Sequence, residues 1–511
     1  MSISTERKTL NLNKCSVNEM VNEWIEQDII VPDTKPDAVK IVNVTVSPYV
    51  SDVEVMDGKI KVIGKINYFV IYNVDDPRFS TRGLFVTYPY TKTLDIKGAT
   101  KGCDVCVIPI TKNVIHALPN ERKIAIKTEV CFKVKLKTQA SISLINKFEA
   151  DSPIESKMCQ SEFNHIVVDK KSIIASKDDV MLPKDAEDFF EILKMNTKIK
   201  NTEYKESYNK IMVKGDIEAD IVYLSEDAEE PIKKMPIVVP FSAMIEIENI
   251  GENSKFDIRY LMQDFNLKVN EDITSSKTMR AEYQIEVQVV MYEEQLNEYI
   301  EDFYSQTKEL RYQEETIDVV KKQEEKKRVL EITENVSNIL PANTKLLDYS
   351  VDVSSLVPTL NIDTIHIDGN AKVSLLILNI EDMKLENKTI DVLVNEEFKS
   401  EQIDLTSHLF IDIRNPEISV IQHGNDLEMK IMIAVYTIKE DIANIKVIDN
   451  ITEEKIDNSN LDSMNIYIVK PKDTLWAIAK KYKTSIEKIA STNDIEDTNN
   501  IAIGQKILII R

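Results

Sequence analysis

Three segments of the chain carry an apolar residue or a glycine at every second position, and this pattern predicts β-strands. Successive side chains of a strand point to opposite faces, so a period of two indicates a strand that is buried on one face. Each segment contains one glycine, which usually marks a bulge or a close approach of two backbones. The segments run from Lys59 to Tyr72 around Gly64, from Lys210 to Tyr223 around Gly215, and from Thr364 to Leu378 around Gly369.

These segments belong to a unit that occurs three times. The first two share Lys, Ile, Val, Gly, Ile and Tyr at a constant offset of 151 residues. Other landmarks keep this offset, and a third copy carries similar landmarks at a slightly shorter spacing. Self-similarity at a fixed period is typical of tandem domains. The landmarks are Pro32 and Pro183, Pro89-Tyr90 and Pro240-Phe241, and in the third copy Leu340-Pro341.

Each copy also ends in a long alternating strand, so we expect a mainly β, multidomain protein. Several strands with polar turns favour a β-sandwich or a small barrel in each copy. Short helical or extended spacers are expected between the copies, and a small α+β domain at the end. The predicted boundaries are an N-terminal segment (1–28), repeats at 29–150, 179–295 and 336–448, linkers at 151–178 and 449–464, a charged spacer at 296–335, and a terminal domain at 465–511.

The predicted connections differ from the repeats in composition. Residues 292–334 are dense in Glu, Lys and Gln and lack glycine, which favours a helical or extended spacer whose rigidity stays open. Residues 449–463 lack a usable apolar pattern and predict a flexible tether. Trp24 lies in a short amphipathic stretch, where we expect a packing anchor rather than a binding site.

Residues 465–511 predict the order strand, helix, helix, strand. Ile466 and Ile468 alternate in the first strand, and Asp473 or Thr474 can cap the helix that follows. The apolar stripe of that helix has the spacing i, i+3, i+4 and i+7, which is typical of one buried face. Its members are Leu475, Ile478, Ala479 and Tyr482.

This terminal domain resembles the LysM family over its whole length. Two positions depart from the family pattern, since Lys472 replaces a glycine and Ile503 replaces a proline. The resemblance implies binding of N-acetylglucosamine polymers by the loop after the first strand and the loop before the second. Lys472 lies in the first of these loops and argues against glycan binding here. The matching residues are Tyr467, Val469, Lys470, Pro471, Asp473, Thr474, Leu475 and Trp476, then Asn493, and then Gly504-Gln505-Lys506.

Trp476 lies about 100° away from the apolar stripe of its helix. Two interpretations stay open, because the indole either covers the edge of a small core or forms an exposed protein-binding hot spot. The second interpretation predicts a partner-binding surface on this domain. Its candidate residues are Lys470, Lys472, Asp473, Thr474, Leu475, Trp476, Lys480, Asn493 and Ile495.

The charge of the chain argues against several partners. The formal net charge is −22, and an acidic surface repels nucleic acid and anionic lipid. Residues 465–511 differ, with eight Lys or Arg against five Asp or Glu, so the terminal domain is a basic unit on an acidic body.

A reducing compartment is expected from the five cysteines. An odd number clustered in the first third is not a disulfide framework. No secretory signal or apolar run of membrane-spanning length is visible, so we expect a cytoplasmic protein without membrane insertion. Cys103-x-x-Cys106 is interpreted as structural, with half of a zinc or redox site as the alternative. The cysteines are Cys15, Cys103, Cys106, Cys131 and Cys159.

No catalytic or cofactor-binding motif is recognisable, so we expect a non-enzymatic protein without a cofactor. Tandem β-rich repeats with one C-terminal LysM domain resemble the SipL family of spore morphogenetic proteins, and the repeat resembles its SPOCS domain. The resemblance implies a mother-cell protein at the forespore surface. It would bind stage IV sporulation protein A, the ATPase of the coat basement layer, through its LysM domain and promote coat assembly.

Two other functions stay open at this stage. A LysM carbohydrate-binding protein could recognise peptidoglycan of the cell wall or cortex, and the repeats could conceal a hydrolase. The sequence leaves open what the repeats bind and whether the chain oligomerises.

Overall fold

A computed structural model describes nine segments of the chain, and nearly all of their regular structure is strand. The predicted mainly β fold is confirmed. Pro183 and Cys15 lie outside the described residues. The segments are 3–14, 17–76, 78–151, 153–181, 189–227, 230–269, 278–400, 407–455 and 464–510.

The first repeat is a sandwich of two three-stranded antiparallel sheets. Its strands are β1 (Ser4–Asn13), β2 (Val17–Ile30), β3 (Lys40–Met56), β4 (Lys59–Asn73), β5 (Thr81–Asp95), β6 (Asp104–Asn120), β7 (Lys123–Lys137) and β8 (Gln139–Glu149). One sheet has the order β3-β4-β5 and the other β2-β7-β6. The alternating apolar faces of β4 and β7 meet in the core between the two sheets, as the sequence pattern predicts.

The other two repeats have the same topology. The second has the sheets β10-β11-β12 and β13-β14-β9. The third has the sheet β15-β21-β20 and a four-stranded sheet in which β18 pairs with β16 and β17 on one side and with β19 on the other. The bounds are β9 (Ile154–Met181), β10 (Phe189–Ser207), β11 (Lys210–Ser225), β12 (Ile232–Glu246), β13 (Ser254–Val269), β14 (Thr278–Ser305), β15 (Lys308–Val336), β16 (Thr344–Asp352), β17 (Val357–Leu360), β18 (Thr364–Asn379), β19 (Leu385–Lys399), β20 (Ser407–His423) and β21 (Asp426–Lys455).

Glycine recurs at one position of the repeats for a structural reason. Gly64 faces the register shift that β3 makes between Val50 and Asp52, and Gly215 faces a similar shift in β10. A Cβ atom on Gly64 would lie 2.1 Å from the carbonyl oxygen of Tyr49. The predicted bulge is confirmed opposite Gly64 and Gly215. The close backbone approach is confirmed at Gly64 and at Gly369, where a Cβ atom would lie 2.7 Å from the carbonyl oxygen of Ser355.

The predicted linkers are strands that belong to the repeats. β9 pairs with β14 along almost its whole length, and β15 pairs with β21 in the same way. In the first repeat this long pair is divided into β1 with β8 and β2 with β7. Segments 1–28, 151–178 and 296–335 are therefore not separate connections, and the helical alternative for the charged spacer is wrong. Of the tether at 449–464, the part up to Lys455 is strand, while 456–463 lie outside the described residues.

In each repeat the outer half of the long strand pair forms a two-stranded ribbon beyond the sandwich. The three ribbons pack against one another around a shared apolar core. A further apolar cluster of the ribbons contains Ile145, Ile300, Phe303 and Ile448. Many other ribbon positions are polar and exposed, as along β15, which explains why composition alone indicated a spacer. The core residues are Leu10, Leu12, Ala140, Ile142, Leu144, Phe163, Tyr299, Val319, Ile445 and Val447.

The three sandwiches meet at a second apolar cluster, to which all of them contribute. Beside it, Asp348 of the third repeat forms ion pairs with Lys194 and Lys234 of the second, each at 2.7 Å. The side chain of Asp348 is only 4% exposed. These two ion pairs of a buried carboxylate join the third repeat to the second.

The terminal domain has the predicted order of elements. It consists of β22 (Met464–Ile468), α1 (Leu475–Tyr482), α2 (Ile486–Thr492) and β23 (Lys506–Ile510), with β22 antiparallel to β23. Thr474, not Asp473, caps α1, since its hydroxyl accepts a hydrogen bond from the Ala477 N–H at 3.1 Å.

Candidate protein-binding surface of the terminal domain

Three of the predicted contact residues support the fold of the terminal domain. Leu475 lies in the core, so it offers no surface to a partner and its prediction as a contact residue is corrected. The Asn493 amide donates to the carbonyl oxygens of Ile489 (2.8 Å) and Leu508 (2.7 Å) and accepts from the Leu508 N–H (2.7 Å). It thereby holds α2 against β23, and Ile495 packs partly against the same core.

The loop between β22 and α1 is closed by Asp473. Its carboxylate accepts hydrogen bonds from the Lys470 backbone N–H at 2.8 Å and from the Tyr467 hydroxyl at 2.7 Å. These bonds hold the pKa of Asp473 below its ordinary value. Lys472 has a φ of 70°, the left-handed conformation that glycine adopts without strain, which explains why LysM sequences favour glycine there. The side chains of Lys470, Lys472 and the capping Thr474 remain exposed.

Trp476 contacts the second repeat. Its indole N–H donates to the Asp302 carboxylate at 2.7 Å, and its ring meets the Tyr304 ring edge to face with centroids 5.1 Å apart. Lys480, one turn further along α1, donates to the same carboxylate. The indole is thus half-buried by another domain, an arrangement that neither interpretation of the sequence foresaw.

Two further contacts complete this interface. The buried Tyr304 hydroxyl donates to the carbonyl oxygen of Thr484 at 2.7 Å, and Lys483 forms an ion pair with Glu309 at 2.9 Å. Burial alone would raise the pKa of Asp302, but hydrogen bonds from Lys480 and Trp476 outweigh it and keep that pKa below its ordinary value. We call this set of contacts the α1 interface. Its repeat side escaped prediction because it lies in the segment interpreted as a spacer.

A different face of the domain is apolar and exposed among the described residues. Tyr467 in β22 and Val469 directly after it pack toward the core, so the alternate side chains of β22 point outward. Ile466 is 69% exposed and Ile468 55% exposed, and Met464 is exposed in the same row. We call Met464, Ile466 and Ile468 the outer row. One signal in the sequence could have revealed the outer row, since β22 has large apolar or aromatic residues on both faces although a two-stranded sheet can bury only one.

The described residues show no other constellation of functional side chains. Cys103 and Cys131 are buried, and the Cys103 thiol lies 3.2 Å from the hydroxyls of Thr100 and Thr138. Within the nine described segments, no group of three or more His, Cys, Asp or Glu residues could hold a metal ion. No helix in the described segments is long and apolar enough to cross a membrane.

Comparison with known families matches residues 37–118 and 188–270 to the SipL family, SPOCS domain, and residues 467–509 to the LysM domain. The chain thus carries two SPOCS domains similar to those of the SipL family and one LysM domain. The SPOCS matches fall on the first two sandwiches, and the third sandwich repeats their topology. The two kinds of domain together indicate a sporulation-related LysM protein.

A stretch of 46 residues of the chain is 46% identical to the cortical fragment-lytic enzyme of Bacillus subtilis (strain 168). The stretch covers 9% of this chain and 11% of that enzyme, so the chain spans about a tenth of the length of its relative. No solved structure matches the chain.

Proposed function

We propose that the protein is a non-enzymatic adaptor of spore-coat assembly. It acts in the mother cell at the forespore surface, where its LysM domain binds the coat basement-layer ATPase, stage IV sporulation protein A. The combination of SPOCS and LysM domains supports a role in sporulation. We choose a protein rather than a glycan as the ligand because of the exposed surface of the LysM domain.

The outer row is the observation that carries this proposal. Large apolar side chains in a contiguous exposed row mark interaction sites, because water solvates them poorly. Three aliphatic side chains offer a hydroxyl-rich glycan no hydrogen-bonding group, whereas burying such side chains is what stabilises protein interfaces. The exposed Lys470 and Lys472 follow directly after the outer row and supply a basic rim.

The charge distribution agrees with this orientation. The LysM domain is basic and the rest of the chain is strongly acidic, so an acidic partner would be drawn to the domain and repelled by the repeats.

The test is a titration of stage IV sporulation protein A with the full chain and its Ile466→Glu variant. A charge in the centre of a buried apolar contact costs about 2 kcal/mol or more, so the affinity should fall at least about 30-fold. Leu393→Glu is the matched control, because Leu393 is 72% exposed on β19, far along the chain from the LysM domain. Equal affinities for the two variants would contradict the proposed surface.

One observation favours a second function, carbohydrate binding. The two loops that bind glycans in LysM domains, around Lys472 and around Ile503, are exposed and take no part in the α1 interface. The similarity to a cortical fragment-lytic enzyme points in the same direction. This alternative predicts that the full chain binds insoluble peptidoglycan and that Ile466→Glu leaves that binding unchanged.

A further inference from the structure

We infer that the α1 interface is an autoinhibitory latch, in which the repeats cover the Trp476 face of the LysM domain until a protein partner displaces them. This inference rests on the proposed function. It adds that the LysM domain has a closed state, held by Asp302, in which only part of its binding surface is available.

The latch covers a surface suited to protein binding. Trp476, Lys480 and Lys483 all point toward the repeats, so one face of α1 and the turn after it are occupied. Tryptophan is enriched at the energetic centres of protein interfaces. The indole N–H can serve only one acceptor at a time, so contact with Asp302 excludes a similar contact with a partner.

The polar contacts at the centre of the interface are of a kind that can open, whereas the buried Tyr304 packs against the LysM core and has to leave it when the interface opens. Asp302 and Lys480 keep 29% and 34% of their side chains exposed, so solvent reaches the ion pair at the centre of the interface. Glu309 is also half-exposed beside Lys483. Ion pairs accessible to water contribute little each, and a partner that offers equivalent acceptors can replace them.

The chain supplies the high local concentration that such weak contacts need. Only eight residues separate the end of β21 from the start of β22. A short connection makes docking intramolecular, with an effective concentration on the order of millimolar. A weak interface can therefore stay closed and still open for a strong competitor.

The docking is measured first, without any partner. The chain has two tryptophans, so Trp24→Phe leaves Trp476 as the single tryptophan, and excitation at the long-wavelength edge of indole absorption avoids the tyrosines. In this background, Asp302→Lys places a cation against Lys480 and should raise the acrylamide quenching constant of Trp476 at least twofold. Glu298→Lys is the matched control, since Glu298 is an exposed carboxylate on the same strand, β14, and should leave quenching unchanged.

The competition is measured next, by titrating stage IV sporulation protein A with the same chains. Opening the latch should lower the dissociation constant of the Asp302→Lys chain for the partner about tenfold relative to that of the Glu298→Lys chain. The reason is that the repeats no longer compete with the partner for the Trp476 face. Raised quenching with equal or weaker affinity would overturn the latch alone. Unchanged quenching in Asp302→Lys would overturn the closed state itself. Failure of every chain to bind would overturn the proposed function, and the latch with it.

Discussion

Gly64 and Gly215 shape their repeats by having no side chain. Each is paired across the meander with an aromatic residue, Tyr90 or Phe241, whose ring lies over the glycine. A Cβ atom on Gly64 would come within 2.6 Å of the Tyr90 hydroxyl, and one on Gly215 within 2.7 Å of the Phe241 ring. The aromatic ring therefore fills the space that a side chain would need.

We predict that Gly64→Ala destabilises the first repeat by about 1–3 kcal/mol, because the added methyl group collides with backbone as well as with a ring. Hydrogen exchange of the amides in β3 to β5 measures this effect within the repeat. Gly251→Ala is the matched control, since the nearest atom to a Cβ there is 3.6 Å away. Similar protection in both variants would show that the strand can move aside.

At this scale the sequence predicted the role of the glycines but not that of Trp476. The glycine lies in a strand whose alternation is visible locally, so its constraint can be inferred from neighbouring residues. The environment of Trp476 depends on Asp302 and Tyr304, which lie more than 170 residues earlier in the chain. No local pattern indicates such a contact.

The long strands β9, β14, β15 and β21 each serve two structures, a sandwich and a ribbon. Their ribbon halves alternate weakly, because the apolar positions that enter the ribbon cores are interspersed with many polar positions that face water. The offset of 151 residues measures one repeat together with anything that lies between two copies. The offset alone therefore could not distinguish a linker from a strand of the repeat.

We predict that Phe163→Ala destabilises the ribbons by about 3–5 kcal/mol, the usual cost of removing a fully buried aromatic side chain. Phe163 lies in the shared ribbon core and packs near Tyr299, with ring centroids 6.4 Å apart. The midpoint of chemical denaturation measures the loss. Met158→Ala, an exposed position on the same strand, should change stability by less than about 0.5 kcal/mol. Equal midpoints for the two variants would mean that the ribbon core does not stabilise the chain.

At the scale of the whole molecule, contacts between repeats decide whether three sandwiches act as one body. Asp348 is central to one such contact, with Lys194 and Lys234 as its partners. Burial alone would raise the pKa of Asp348, but the charge of Lys194 and the hydrogen bonds from both lysines outweigh burial and lower that pKa.

We predict that Asp348→Asn costs about 3–5 kcal/mol near neutral pH, because it leaves Lys194 buried without a counter-charge. A carboxylate with a lowered pKa stabilises the native state above its unfolded pKa of about 3.9, and this contribution disappears as the pH falls through the native pKa. The difference between the wild type and the variant should therefore shrink in acid. Denaturation at neutral and acidic pH measures both effects.

Asp95→Asn provides the matched control for this prediction. Asp95 also pairs with a lysine, Lys59, but its side chain is 84% exposed. Its loss should cost no more than about 1 kcal/mol. A similar cost for both substitutions would contradict the proposed role of the buried pair in joining the repeats.

The order of the domains could be predicted from sequence, whereas their mutual arrangement could not. The LysM motif is local, with Tyr467, Asp473 and Trp476 at characteristic spacing, so its fold follows from a short stretch. The α1 interface and the ion pairs of Asp348 join residues far apart in the chain. Their partners are ordinary surface residue types, which carry no signal until the structure brings them together.

The most direct test of the account is a titration of the full chain with two ligands, purified stage IV sporulation protein A and chito-oligosaccharide. We expect saturable binding of the protein, a large loss of affinity in Ile466→Glu, and no binding of the sugar. Binding of the sugar alone, unaffected by Ile466→Glu, would contradict the adaptor function and assign the LysM domain to carbohydrate recognition.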